Sequence, residues 1–229
     1  MVAIVCVSDQ SGCRLYPLGL LVALLPLLTT HLCLLLNFSQ ETLAWCNPYW
    51  LDCHSISATG RQGVAYFVFK GGMLPAMLLL ALYWWLNQYW LRHHFTHKVF
   101  AIGWLGSLAS VALSVYTLSL GHDGDIPYLL RRTGVVTYLG LTFICQLILA
   151  ATLSQSPLTR STGRHLLTLS TLTLSLALLS LALDASMGEG YERIENAVEW
   201  SLILLLNLHV LLSVRLWKRL GVRMTLQHQ

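Results

Sequence analysis

Three short stretches hold most of the side chains in this chain that could do chemistry. The first, CNPYWLDCHSISATGRQG, runs from Cys46 to Gly63. Ser55, Ser57, Thr59 and the backbone around Gly60 offer donors, and Arg61 and Lys70 add positive charge. Together they would hold a phosphate or a sugar hydroxyl. The same residues also suit a plain turn, with Gly60 and Gly63 as punctuation. The second stretch, GHDGDIPYLLRR, sets His122, Asp123 and Asp125 close to Arg131 and Arg132. An imidazole beside carboxylates can work as a general acid or base. A solvated turn whose charges pair locally is the alternative. The third, DASMGEGYERIENAVEW, spaces Glu192, Glu195 and Glu199 at i, i+3 and i+7, along one face of a helix.

Glu199 falls where an apolar run has already begun, and an acid there must be paired, neutral or wetted. Lys70, His122 and Arg131 are its candidate partners; His31, Asn207 and His209 lie deeper in apolar sequence. Two readings follow. In one, a polar pocket opens at headgroup height. His122 and Glu199 are its candidate catalytic groups, and Ser55, Ser57, Arg61, Lys70, Asp123, Arg131 and Glu195 bind its ligand. In the other, the same charges form a buried ion pair that fixes helix packing.

These residues are embedded in a chain that water would not tolerate. Of 229 residues, 55% are hydrophobic and 10% charged, with a mean hydropathy of +0.63. Soluble domains carry about 25% charged residues. The useful unit is an apolar run of about 20 residues, enough to cross roughly 30 Å of hydrocarbon as helix. Six can be read, at 18–36, 63–86, 99–120, 133–153, 166–183 and 197–217. The fifth contains LTLSLAL, which alternates like a strand. A lone strand in lipid would leave its backbone unpaired, so helix is expected. Thr168, Thr171 and Ser175 would then form a small-residue stripe for close packing. The expected fold is one all-α domain, a polytopic six-helix membrane protein.

The distribution of Lys and Arg sets the expected orientation. With both termini cytoplasmic, nine cations and Asp9 alone among the acids lie inside, while five cations and nine acids lie outside. Cys46 and Cys53 then face an oxidising space, separated by six residues. A disulfide that shapes the mouth of the bundle is expected there, against the alternative of two free thiols. Cys6 and Cys13 lie on the inner side, and Cys33 and Cys145 within helices as small apolar residues.

No metal site or cofactor is expected. No CxxC pair exists, and His93 with His97 at i, i+4 has no third ligand nearby in sequence. Walker, GxGxxG, GxSxG and HExxH motifs are absent, which removes support for ATP-driven transport and for familiar serine or zinc hydrolysis. Nothing points to nucleic acid. The sequon Asn37-Phe38-Ser39 lies against the membrane and is expected to be unused. The basic, amphipathic segment RLWKRLGVR is expected to rest on anionic headgroups. A bacterial inner membrane fits this compact design of helices joined by little more than loops, with a eukaryotic endomembrane as the alternative.

The order of SISATG before the second run, HDG after the third and ENAVEW at the sixth resembles the superfamily of damage-regulated autophagy modulators, Frag-type GPI-anchor remodelling proteins, and Sfk-type and CWH-type N-terminal domains. The resemblance covers roughly residues 18–217. It matches Ser55, Ile56 and Ser57 to the family's first lumenal loop, His122 to a His after helix three, and Glu199 with Trp200 to the opening of the last helix. Cys46 and Cys53 depart from the pattern. The resemblance implies lipid or glycolipid handling at the outer leaflet, without one shared chemistry. A non-catalytic subunit of a membrane complex, with a membrane protein partner, is the alternative expectation.

Overall fold

The computed structural model describes residues 2–6, 12–95 and 101–226. It is all-helical apart from one small sheet. Helix α1 spans Tyr16–Ser39, the short α2 Ile56–Thr59, α3 Gly63–His94, α4 Ile102–Ser119 and α5 Asp125–Gln155. Helix α6 spans Arg160–Met187 and α7 Glu192–Leu220, with a single 3-10 turn, Gly188–Tyr191, between them. Among the described residues five helical stretches are long and apolar enough to cross a membrane, so the chain is built as an integral membrane protein. The last of these, Arg160–Leu220, contains 61 residues. Straight, it would reach about 90 Å. Instead it doubles back at the 3-10 turn, and Arg219 near its end donates to the carbonyl of Leu158 beside its start.

The six long helices close into a ring in chain order, with α7 returning to α1. Their outward faces are apolar, as at Leu28, Leu78 and Leu181. Without a hydrophobic force between helices in lipid, close approach depends on small residues. One glycine serves each of five contacts. Gly19 faces Val214, Gly72 faces Thr29, Gly106 faces Trp84, Gly134 faces the carbonyl of Ala112, and Gly163 faces the backbone of Ser154. The expected stripe of Thr168, Thr171 and Ser175 does not pack; all three are exposed. Thr168 and Thr171 spend their hydroxyls on carbonyls one turn back. The buried face of α6 is instead Gly163, Leu166, Ser170 and Thr173, all in its first half.

The helices outrun the apolar runs at both ends. Helix α5 begins at Asp125, so Arg131 and Arg132 are helical and not part of a loop. Helices α6 and α7 absorb nearly all of the third polar stretch. The sheet was not expected. Strands β1 (Val2–Cys6) and β2 (Cys13–Arg14) both pair antiparallel with β3 (Val222–Leu226), which lies between them. Residues 215–220 of the basic segment RLWKRLGVR thus close α7, and its last two enter β3. Gly221, at φ 63°, ends α7, and β3 follows at once.

The disulfide between Cys46 and Cys53 forms, with Cα atoms 5.4 Å apart. Cys33 and Cys145 are buried, as expected of small apolar residues, and Cys13 is exposed. His97 lies outside the described residues. His93 packs at a tilt against the Tyr89 ring, and no cluster of three metal-ligating side chains occurs among the described residues.

Candidate functional site

The segment after the disulfide is laced to the first turns of α7. Arg193 grips the Asp52 carboxylate through Nε and Nη2 at 2.6 to 3.2 Å, while the Asp52 N–H donates to the Arg193 carbonyl at 2.9 Å. Asn196 donates to the carbonyl of Cys53 at 2.7 Å, and the Trp200 indole to that of His54 at 3.0 Å. Glu199 accepts from the N–H of Ile56 at 3.2 Å. One helical face thus satisfies successive backbone groups of an extended segment that would otherwise lack partners. The hydrogen bonds from Arg193, and then its charge, hold the Asp52 carboxyl below its usual range. His31 adds a brace from α1. It bonds the Tyr49 hydroxyl at 3.0 Å and meets the edge of Trp200. Burial pushes the Tyr49 phenol up.

Loop one is also held from below. Asn37 is buried and donates to the carbonyls of Cys33 and Thr59, while its own side-chain oxygen accepts from Thr42. Ser55 caps α2 by accepting from the N–H of Ala58 at 3.2 Å, and lies 3.0 Å from the Ser57 hydroxyl. Arg61 donates to Ser57 at 2.8 Å.

The second polar stretch joins the same end of the bundle. Arg131 donates to the carbonyls of Ser119 and His122, at 3.1 and 2.8 Å. It closes the C-terminus of α4, where the helix leaves acceptors unpaired and its dipole favours a cation. Lys70 does the same for the carbonyl of Leu118 at 3.2 Å. Lys70 also donates to Tyr66 at 2.6 Å and lies over that ring. It is therefore not the expected partner of Glu199, because its ammonium is committed to α4.

Two clefts result. The larger, about 850 Å³, lies between α5 and α7 beside the uncovered second half of α6. Arg61, Arg131 and Arg132 stand on it together with Glu195, Glu199, Ser55 and Ser57. Val135, Val136, Leu139, Val198 and Leu202 continue it as an aliphatic wall. The smaller, about 290 Å³, holds His122 and Asp123 and shares Arg61 and Arg131 with the first. His122 and Glu199 thus line neighbouring clefts and not one. Because Nδ1 of His122 faces the carbonyl of Leu120, that nitrogen carries the proton and Nε2 is the free one in the neutral ring. Beneath Glu199 are two internal voids of about 30 and 10 Å³, both touching Pro26, Tyr138 and Asn207. They have room for about one or two waters. His209 is buried away from them, with neither ring nitrogen hydrogen-bonded.

Several cleft residues escape a reading by motif. Tyr116 from α4, Ser180 from α6, Tyr191 from the 3-10 turn and Asn196 from α7 all line the larger cleft. Tyr191 and Ser180 are hydrogen-bonded to each other through their hydroxyls. Tyr116 and Ser180 sit inside apolar runs, where single aromatic and hydroxyl residues look like packing groups; only the ring closure of the helices brings them to the cleft.

The chain matches no family model, no curated protein and no solved structure.

Proposed function

We propose that this protein binds a membrane lipid whose headgroup carries a phosphate, in the larger cleft at the disulfide end of the bundle. One observation carries this reading: three arginines and an aliphatic wall share a single cleft of about 850 Å³. Guanidiniums recognise phosphate through paired N–H donors. The Val and Leu wall suits the acyl chains below the headgroup. Glu195, Asn196 and the serine hydroxyls would meet the headgroup's own donors, an ammonium or sugar hydroxyls. Lipid or glycolipid handling of this kind agrees with the resemblance to the Frag and autophagy-modulator superfamily.

The reading places six helices across a bacterial inner membrane, α6 and α7 as separate crossings, both termini cytoplasmic and the disulfide outside. Pairing of β1 and β2 with β3 supports an even number of crossings between them, because paired strands lie on one side. The exposed Trp45 and Trp50 beside the disulfide suit the membrane interface.

A second reading rests on the lacing of α7 to loop one. Arg193, Asn196, Glu199 and Trp200 all serve backbone groups of that loop. A subunit that presents a stiff outer platform to a membrane protein partner would need this, and Glu199 would then be a packing group. Native mass spectrometry with lipid identification separates the two, on wild type and on Arg61→Gln/Arg132→Gln. A defined lipid that leaves with wild type and is missing from the folded variant supports the cleft. Bulk lipid on both, with a stoichiometric protein retained instead, overturns it and leaves the subunit reading.

A further inference from the structure

The sheet end of the bundle carries a second cationic cleft, independent of the one above. Its walls are the first turns of α6 and the last turns of α7. Thr162 and His165 stand i, i+3 on one helix, and Arg215 and Arg219 i, i+4 on the other, so each pair shares a face. They frame a hollow of about 140 Å³ floored by Leu212 and Leu216. Arg219 is steadied by the carbonyl of Leu158 at 3.3 Å. No carboxylate among the described residues pairs with these charges. Among the described residues the only ion pair joins Asp52 and Arg193, at the opposite end of the molecule.

Placing Lys and Arg on this side for membrane topology requires only exposed cations. It does not require two of them in one hollow. Like charges at i, i+4 on a helix repel each other. The arrangement is favourable once an anion bridges them. We propose that this cleft binds a phosphate group, that of an anionic phospholipid in the leaflet at the sheet end. Arg215 and Arg219 supply paired donors to its oxygens, and Thr162 and His165 add single ones. Leu212 and Leu216 lie under the first carbons of the acyl chains. Basic pockets between membrane helices suit such headgroups. A free phosphate would use the same polar groups but leave the aliphatic floor unused.

The full chain in mild detergent would be titrated with phosphatidylglycerol and followed by native mass spectrometry. The Arg61→Gln/Arg132→Gln background silences the other cleft, so failure of that proposal leaves this test intact. One phosphatidylglycerol should bind more tightly than phosphatidylcholine. The added pair Arg215→Gln/Arg219→Gln should weaken it about tenfold or more, since charged hydrogen bonds are lost. Leu212→Trp should also weaken it by filling the floor, without removing a charge. Arg160→Gln/Arg164→Gln should leave binding unchanged. Competition by millimolar inorganic phosphate would assign the site to a soluble anion, and lack of competition to the lipid. Unchanged affinity in folded Arg215→Gln/Arg219→Gln and in Leu212→Trp would overturn the site. So would equal loss in the Arg160/Arg164 pair, which would reduce the effect to diffuse charge.

Discussion

Asn37 is a buried tie at the disulfide end. It joins the end of α1 to the loop that becomes α2, through two donated bonds and one accepted. Asn37→Ala leaves the carbonyl of Thr59 and the hydroxyl of Thr42 without that partner, and should cost about 2 kcal/mol. Thermal unfolding in detergent would measure it; an unchanged midpoint would show that water replaces the side chain. Asp52 has a milder role with a definite pH signature. Its folded carboxyl titrates below its ordinary value of 3.8 because Arg193 donates to it. The unfolded chain binds the proton more readily, so the contribution is complete above that ordinary value and disappears as pH falls through the lowered one. The pair is exposed, so the effect is small and salt-sensitive. Asp52→Asn should therefore lower the unfolding midpoint slightly at neutral pH and not at all in strong acid. A difference that persisted in acid would assign the role to shape and not charge.

At the scale of elements, helix contacts and the disulfide loop give opposite expectations. Gly163 lets α6 approach the last turn of α5, and a Cβ there would run into the backbone of Ser154. Backbone cannot rotate away as a side chain can. Gly163→Val should destabilise the bundle by about 1–3 kcal/mol, visible as a lower melting temperature, and should part α5 from α6. A melting temperature equal to wild type would mean that the hairpin is not held there. The disulfide closes only a short ring, so Cys46→Ser/Cys53→Ser should cost about 2 kcal/mol. The loop beyond it stays pinned by α7 at Asp52, Cys53, His54 and Ile56. Lipid retention in the larger cleft should therefore survive removal of the disulfide. Its loss would show that the ring, and not the lacing, shapes the cleft.

At the scale of the molecule, apolar run length revealed every long helix, because the bilayer demands it of any crossing segment. Helix ends were less legible. A helix such as α5 extends past its apolar run by two turns, where Asp125, Arg131 and Arg132 read as loop chemistry. Arg61, Arg131, Glu195 and Glu199 were named from their types, but that they line one cleft depends on packing that no local pattern carries. The turning of Lys70 toward Tyr66 and Leu118 was not legible either, since α4's unpaired carbonyls compete for it only once α3 and α4 are packed. The sheet joining the two ends of the chain was invisible, because short strands at opposite ends of a sequence carry no local mark of pairing. That sheet decides the most global prediction. Under the proposed topology the paired strands lie on one side and the 61-residue stretch crosses twice. Cys13, exposed beside β3, should react with a membrane-impermeant maleimide only when the cytoplasmic side is open, as in inverted vesicles. A cysteine placed at Glu189, in the exposed turn between α6 and α7, should react from the opposite side in intact spheroplasts. If both positions label from the same side, α6 and α7 do not each cross, and the larger cleft does not face the outer leaflet.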